Sequence, residues 1–314
     1  MKVLVTGGAG FIGSHVSDEF LRAGHEVIAL DNLSSGRKEN LDPRVRLAVL
    51  DIRSPEAAAL IRSEQPQVIC HLAAQMDVRR SVEDPRFDAD ANILGMLNLL
   101  EAARSSGVKK FIFSSTGGAI YGEQDVFPAP ESHPTRPVSP YGVSKASGEL
   151  YLGYYRAQYG LPYVALRYAN VYGPRQNPHG EAGVVAIFAQ RLVAGRECTI
   201  YGDGGQSRDF VFGPDVARAN LLAFEKDYVG SVNIGTGIET DINRLYTLLA
   251  EGAGSNIKAQ HAPGKPGEQR RSCIDASLAK KVLGWEPSVG LADGLKKTVE
   301  YFRKQAREPA RALG

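Results

Sequence analysis

Apolar residues follow two patterns that alternate along the first half of the chain. Short β-branched runs at Lys2–Thr6, Glu26–Leu30, Val45–Leu50, Gln67–Leu72, Lys110–Ser115 and Tyr163–Tyr168 are apolar almost throughout, and stretches with helical spacing separate most of them. Strands of that kind need cover on both faces. Helices between them supply it, so the pattern predicts a doubly wound α/β fold around a parallel sheet. After Tyr168 the pattern loosens into a loop with Gly173, Pro174, Pro178, Gly180 and Gly183, and the later strands Cys198–Tyr201, Asp209–Phe212 and Ser231–Ile234 are shorter. The expected organisation is a sheet domain over residues 1–168, to which 209–235 returns. A smaller C-terminal lobe takes 169–205 and 236–306, and 307–314 forms a frayed tail. The stretch Ala91–Ala103 carries Ile93, Leu94, Met96, Leu97, Leu99 and Leu100, more apolar surface than one helix face needs. Burial against the sheet and contact with a partner both account for it.

Composition narrows the class. The 314 residues are 43% hydrophobic and 23% charged, which suits a globular protein with a sizeable core and excludes disorder. Lys and Arg number 37 against 35 Asp and Glu, so no global field draws the chain to nucleic acid or a membrane surface. Cys70, Cys198 and Cys273 lack Cys-x-x-Cys spacing, and the histidines share no ligand spacing, so neither a disulfide framework nor a metal site is expected. The apolar run at the N-terminus is too short for a signal peptide, and a cytoplasmic enzyme is expected.

Chemistry enters at Thr6-Gly7-Gly8-Ala9-Gly10-Phe11-Ile12-Gly13, which follows the first strand and opens a helix. Gly7, Gly10 and Gly13 allow a tight turn, close approach of backbone amides to a pyrophosphate, and close packing of helix on strand. Asp31 follows Gly7 by 24 residues at the end of the second strand, where an acid binds ribose hydroxyls. A carboxylate there repels the 2′-phosphate of NADP and favours NAD, while Arg37 and Lys38 nearby keep NADP as an alternative. Asp51 and Ile52, ending the third strand, are placed to flank the adenine.

Ser139-Pro140-Tyr141-Gly142-Val143-Ser144-Lys145 starts a later helix with Ser139 as cap and Pro140 in its first turn. Tyr141 and Lys145 then share one helix face. Of 13 tyrosines only Tyr141 is followed four residues on by lysine. The strand upstream ends in Ser114-Ser115-Thr116, placing hydroxyls at the carboxyl edge of the sheet, where this architecture binds ligands. A phenol becomes a base at neutral pH only where cations favour its phenolate, and an ammonium one turn away does so.

The set TGGAGFIG, Asp31-Asn32-Leu33, HLAA at 71–74, SSTGGAIYG, SPYGVSK, LRYANVYGP and RDFV resembles the extended short-chain dehydrogenase/reductase family, in its NAD-dependent epimerase/dehydratase branch, from residue 2 to about 303. The resemblance implies Tyr141 as catalytic base, Lys145 as its partner on the nicotinamide ribose, and Thr116 as the hydroxyl on the reacting sugar, with Ser115 as alternative. It implies a cofactor shell of Phe11, Ile12, Asp31, Asn32, Asp51, Ile52, Leu72, Ala73, Ala74, Gln75, Asn92 and Ser114. Asn170, Val184, Thr199, Ile200, Tyr201 and Arg208 match contacts to the nucleotide diphosphate of a substrate. Lys265 stands where relatives carry arginine, with Arg270 as a possible substitute clamp, and Ser272 matches a position beside the sugar's C2 substituent.

Gly117 and Gly118 occupy the positions where dehydratases carry an Asp-Glu pair and decarboxylases a carboxylate. The remaining expectation is C4 epimerisation of a UDP-hexose through a 4-keto intermediate, with NAD regenerated each turn. UDP-glucuronate epimerase, decarboxylase and ketoreductase activity, and non-catalytic dinucleotide binding, are the alternatives. The resemblance also implies a homodimer through the Ala91–Ala103 helix and the one after Tyr141, with Leu150, Tyr151, Tyr154 and Tyr155 at the contact.

Overall fold

The computed structural model describes residues 1–179, 183–264 and 269–307. Its strands are β1 Lys2–Thr6, β2 Glu26–Asp31, β3 Arg46–Val49, β4 Val68–His71, β5 Lys110–Thr116, β6 Tyr163–Tyr168, β7 Asn170–Tyr172, β8 Thr199–Tyr201, β9 Ser207–Phe212, β10 Gly230–Ile234, β11 Glu239–Asp241, β12 Gln260–Ala262 and β13 Arg271–Ser272. Seven of them form one parallel sheet in the order β10-β6-β5-β4-β1-β2-β3. Val3, Val5, Val27 and Ala29 face one buried layer while Leu4, Ile28, Leu30 and Ile69 face the other, which is why these strands are apolar throughout. Chain order reverses between β1 and β4, so the loops after those strands and after β5 open a crevice at one sheet edge.

The second lobe is built on β9, which pairs with β7, β11 and β13, and on a separate β8–β12 pair. Residues 209–235 therefore divide. Gly230–Ile234 forms the outer strand of the large sheet, and helix Gly213–Glu225 packs on helix Phe11–Arg22, but β9 belongs to the small sheet. Val211 lies in the core of the first domain whereas Phe210 and Phe212 lie in that of the lobe, so β9 stands between two cores.

Helix Pro140–Tyr159 starts where Ser139 accepts the Gly142 amide at 3.2 Å, and it ends at Gly160 in the left-handed region, φ 70°. The stretch expected as a helix from Ala91 is helical throughout, a π turn at Asp90–Leu94 running directly into helix Gly95–Arg104. Met96, Leu99 and Leu100 are buried against the sheet while Leu94 is 57% exposed. Tyr155, expected at a partner contact, is buried, and its hydroxyl donates to Glu101 at 2.5 Å. All three cysteines are free and buried. Among the described residues no helix is long and apolar enough to cross a membrane, and no His, Cys, Asp or Glu cluster has the makings of a metal site. The helix Leu291–Arg307 closes the described chain, so the expectation for the tail beyond Arg307 lies outside it.

Candidate active site

The turn after β1 is built from backbone contacts that admit no side chain. Gly7 has φ 66°, and a Cβ there would stand 2.8 Å from the Ala73 amide; a Cβ at Gly13 would stand 2.0 Å from the Gly7 carbonyl. Helix Phe11–Arg22 begins at Gly10 without a side-chain cap, so its first N–H groups and the positive end of its dipole face the crevice. Asp31 is fixed beside this turn. Its Oδ2 accepts the Ala9 amide at 3.0 Å and its Oδ1 the Leu33 amide at 2.8 Å, and Gly36 passes so close that a Cβ would meet both oxygens at 2.8 Å. A side-chain-free cradle at a helix N-terminus, with a held acid alongside, suits the pyrophosphate and ribose of a dinucleotide.

Asn32 donates to Asp51 at 3.0 Å, and Arg53 grips the same carboxylate through two nitrogens while reaching Asp90 at 2.8 Å. Those arginine bonds hold the Asp51 carboxyl well below the usual range. Ile52 is buried, and its carbonyl accepts from Asn98 at 2.7 Å. After β4, Leu72, Ala73, Ala74 and Gln75 form the opposite wall. The Ala73 amide donates to Thr6 Oγ1 at 3.2 Å, and Gln75 and Asn92 bond twice, amide to side-chain oxygen and side-chain nitrogen to carbonyl, both at 2.8 Å. The π turn sets Asn92 in that position. His71 is a core residue here: it meets Thr6 Oγ1 at 2.7 Å, and burial, aided by the charge of Lys145, lowers its pKa to about 3.

Tyr141 is half-buried in the first turn of its helix, its amide donating to Ser81 Oγ at 3.3 Å. Lys145 is buried one turn on, with Nζ 5.7 Å from the centre of the Tyr141 ring and 4.8 Å from that of Phe113. The ammonium donates to the Ser114 carbonyl at 2.7 Å. Burial lowers its pKa to about 8, against the opposing pull of Asp88. Along β5 the faces alternate, so Ser114 and Thr116 share one side and Ser115 lies on the other. Ser115 meets the Tyr141 helix, donating to Glu149 at 2.5 Å. Thr116 caps a short helix through the Ala119 amide at 3.2 Å, and a Cβ at Gly118 would lie 3.9 Å from Thr116 Oγ1 and 4.0 Å from Asn170 Oδ1. Thr116 and Asn170 thus flank the same small space.

Ser272 stands directly opposite Arg208 in the β13–β9 register, although 64 residues separate them. Val184 opens helix Val184–Val193. In β8, Thr199 and Tyr201 face one way and the Ile200 side chain is buried in the lobe core. Arg270, a possible substitute clamp, forms two bonds to Asp203 at 2.7 and 2.9 Å. Lys265 lies outside the described residues. Sequence reasoning missed buried Asp88, Ser144 and Arg167 and half-buried Glu149, the polar groups that hold the Tyr141 helix in place.

Fold and site together define a nucleotide-binding α/β enzyme with a tyrosine-lysine pair, and over residues 3–235 the chain matches the NAD dependent epimerase/dehydratase family, to which it belongs. It is 46% identical over 313 residues to a UDP-glucose 4-epimerase of Mycolicibacterium smegmatis, covering 98% of this chain and 100% of that one. The solved UDP-glucose 4-epimerase of Thermotoga maritima with UDP-glucose is 53% identical, with TM-score 0.95 over 98% of this chain and 100% of that chain. The Thermus thermophilus UDP-glucose 4-epimerase with NAD is 48% identical, with TM-score 0.91 over 96% and 99%.

Proposed function

We propose that this chain interconverts the C4 epimers of a UDP-hexose, UDP-glucose and UDP-galactose in the first place, with NAD retained through each turnover. The observation that carries the reading is the Tyr141–Lys145 pair beside Thr116, with Gly117 and Gly118 offering no second acid or base. Similarity from end to end to UDP-glucose 4-epimerases supports it.

Tyr141 takes the proton from the C4 hydroxyl. A free phenol has a pKa of about 10, so this needs cationic company, and the buried Lys145 ammonium supplies it. Thr116 bonds the same sugar oxygen and aligns it. The glycine cradle, Asp31 and the Leu72–Gln75 wall would hold NAD, which when bound would supply the acceptor and donor for the C4 hydride. Arg208 anchors the diphosphate, to which its planar fork can give two parallel hydrogen bonds. Holding the nucleotide firmly and the sugar loosely lets the 4-keto sugar present its other face before Tyr141 returns the proton.

The small Ser272 side chain opposite Arg208 favours a second substrate pair, the N-acetylated UDP-hexoses. Leu94, Leu150, Tyr151 and Tyr154 are exposed apolar residues on the two helices expected to pair, which supports a homodimer. The three unpaired cysteines fit a cytoplasmic setting. Separate incubation with UDP-galactose, UDP-N-acetylgalactosamine and UDP-glucuronate, without added reductant, tests the activity. Each accepted substrate yields its C4 partner. Stoichiometric loss of added NADPH would point to a reductase, and binding without turnover to a non-catalytic module. Sizing at micromolar concentration tests the dimer, and a monomer refutes it.

A further inference from the structure

Asp88, in helix Pro85–Ala89, is completely buried. Its Oδ2 accepts the Ser144 hydroxyl at 2.6 Å, and its Oδ1 accepts Asn92 Nδ2 at 3.0 Å and Gln75 Nε2 at 3.1 Å. One carboxylate therefore joins the helix of Tyr141 and Lys145, the loop after β4 and the π turn. All three of these side-chain donors are neutral. An asparagine amide can satisfy them too, accepting from Gln75 and Asn92 and donating to the Ser144 oxygen. Hydrogen bonding alone thus leaves the negative charge unexplained, and a buried carboxylate is costly.

Lys145, the residue after Ser144, gives that charge a purpose. Its buried ammonium lies against the Tyr141 ring of its own helix and the Phe113 ring of β5 and donates to the Ser114 carbonyl, while the Asp88 carboxyl is bonded to the residue next to it, Ser144, and attracts it. Among these neighbours Asp88 is the acidic side chain. We propose that Asp88 is a positioning residue for the proton transfer, fixing the helix through Ser144 and supplying the anionic field in which the Lys145 ammonium stays charged. The low polarity around Lys145, which pulls its pKa to about 8, makes such support matter near neutral pH.

The inference rests on the proposed roles of Tyr141 and Lys145, and its test has one arm that needs no turnover. In Asp88→Asn the basic limb of the kcat profile is expected about one pH unit lower, so that the loss relative to wild type grows with pH, while KM changes less than about threefold. In protein carrying isotopically labelled lysine, assigned with Lys145→Arg, the Lys145 Cε resonance titrates about one unit lower in the variant. Asp88→Ser, also neutral, carries the same expectation should the amide variant not fold. An unmoved Lys145 titration, a uniform loss at every pH, or loss of the fold in both neutral variants overturns the proposal. A shifted titration in a protein that epimerises no UDP-hexose keeps the Asp88 assignment and refutes the proposed function.

Discussion

The Lys145 ammonium reaches the Ser114 carbonyl at 2.7 Å and so ties the helix that carries Tyr141 to the strand that ends at Thr116. Helical spacing puts Tyr141 and Lys145 on one face; the tie decides that this face looks at the carboxyl edge of β5. Lys145→Met removes charge and tie together. We expect kcat to fall by about 10²–10⁴, within the span of general acid–base effects, with bound NAD also reduced. Turnover with NAD content measured on the same sample checks both, and a variant that keeps wild-type kcat refutes the role.

Tyr141→Phe deletes one oxygen from a half-buried ring and leaves the amide contact to Ser81 in place. Its kcat is expected to fall by at least about 10³, with the KM for UDP-galactose within about threefold of wild type. Steady-state rates decide, and full activity in this variant removes the proposed mechanism.

The pKa of Lys145, near 8 rather than the ordinary 10.5, predicts a pH dependence with a definite sign. Activity falls as pH rises through about 8, because the ammonium that favours the phenolate is lost. Stability moves the other way. Between about 8 and 10.5 the unfolded chain binds more protons at this site than the folded one, so its burial penalty is relieved as pH rises. Parallel kcat and thermal-unfolding curves separate the two, and a rate that tracks unfolding refutes the titration.

Much of this site is legible in the chain because it is local. The Gly7–Gly13 turn, the acid ending β2 and the Tyr141–Lys145 face each lie within one strand, turn or helix. What stayed hidden depends on distant segments meeting. Asp88 lies in the polar stretch EDPRFDADAN, which reads as a solvated surface until Ser144, Gln75 and Asn92 close around it. Ser115 stands beside Thr116 as an alternative by sequence, and only the fold shows its hydroxyl engaged with Glu149 of the Tyr141 helix. The Phe210-Val211-Phe212 run cannot reveal that β9 faces two cores at once.

Asp31 accepts the Ala9 amide of the turn it faces and the Leu33 amide of its own loop, so removing the carboxylate frees donors as well as a ribose contact. Asp31→Ala is expected to weaken NAD binding by about tenfold or more, on the scale of one hydrogen bond to a charged group, and to narrow the preference over NADP. Titration with each dinucleotide tests this. An unchanged NAD-to-NADP ratio contradicts the assignment of Asp31 to the ribose.

Ser272 is only 4% exposed and is paired in register with Arg208, so a larger side chain there must enter the space beside the substrate or push β13 off β9. These outcomes differ in what they change. Entry into the space penalises an N-acetyl group and leaves plain UDP-hexoses less affected; displacement of β13 weakens Arg208 and slows both alike. Ser272→Tyr is therefore expected to lower kcat/KM for UDP-N-acetylgalactosamine about tenfold or more relative to UDP-galactose, in keeping with steric discrimination in a closed pocket. Competition between the two substrates in one assay measures the ratio directly. If Ser272→Tyr leaves that ratio unchanged, Ser272 does not border the C2 substituent.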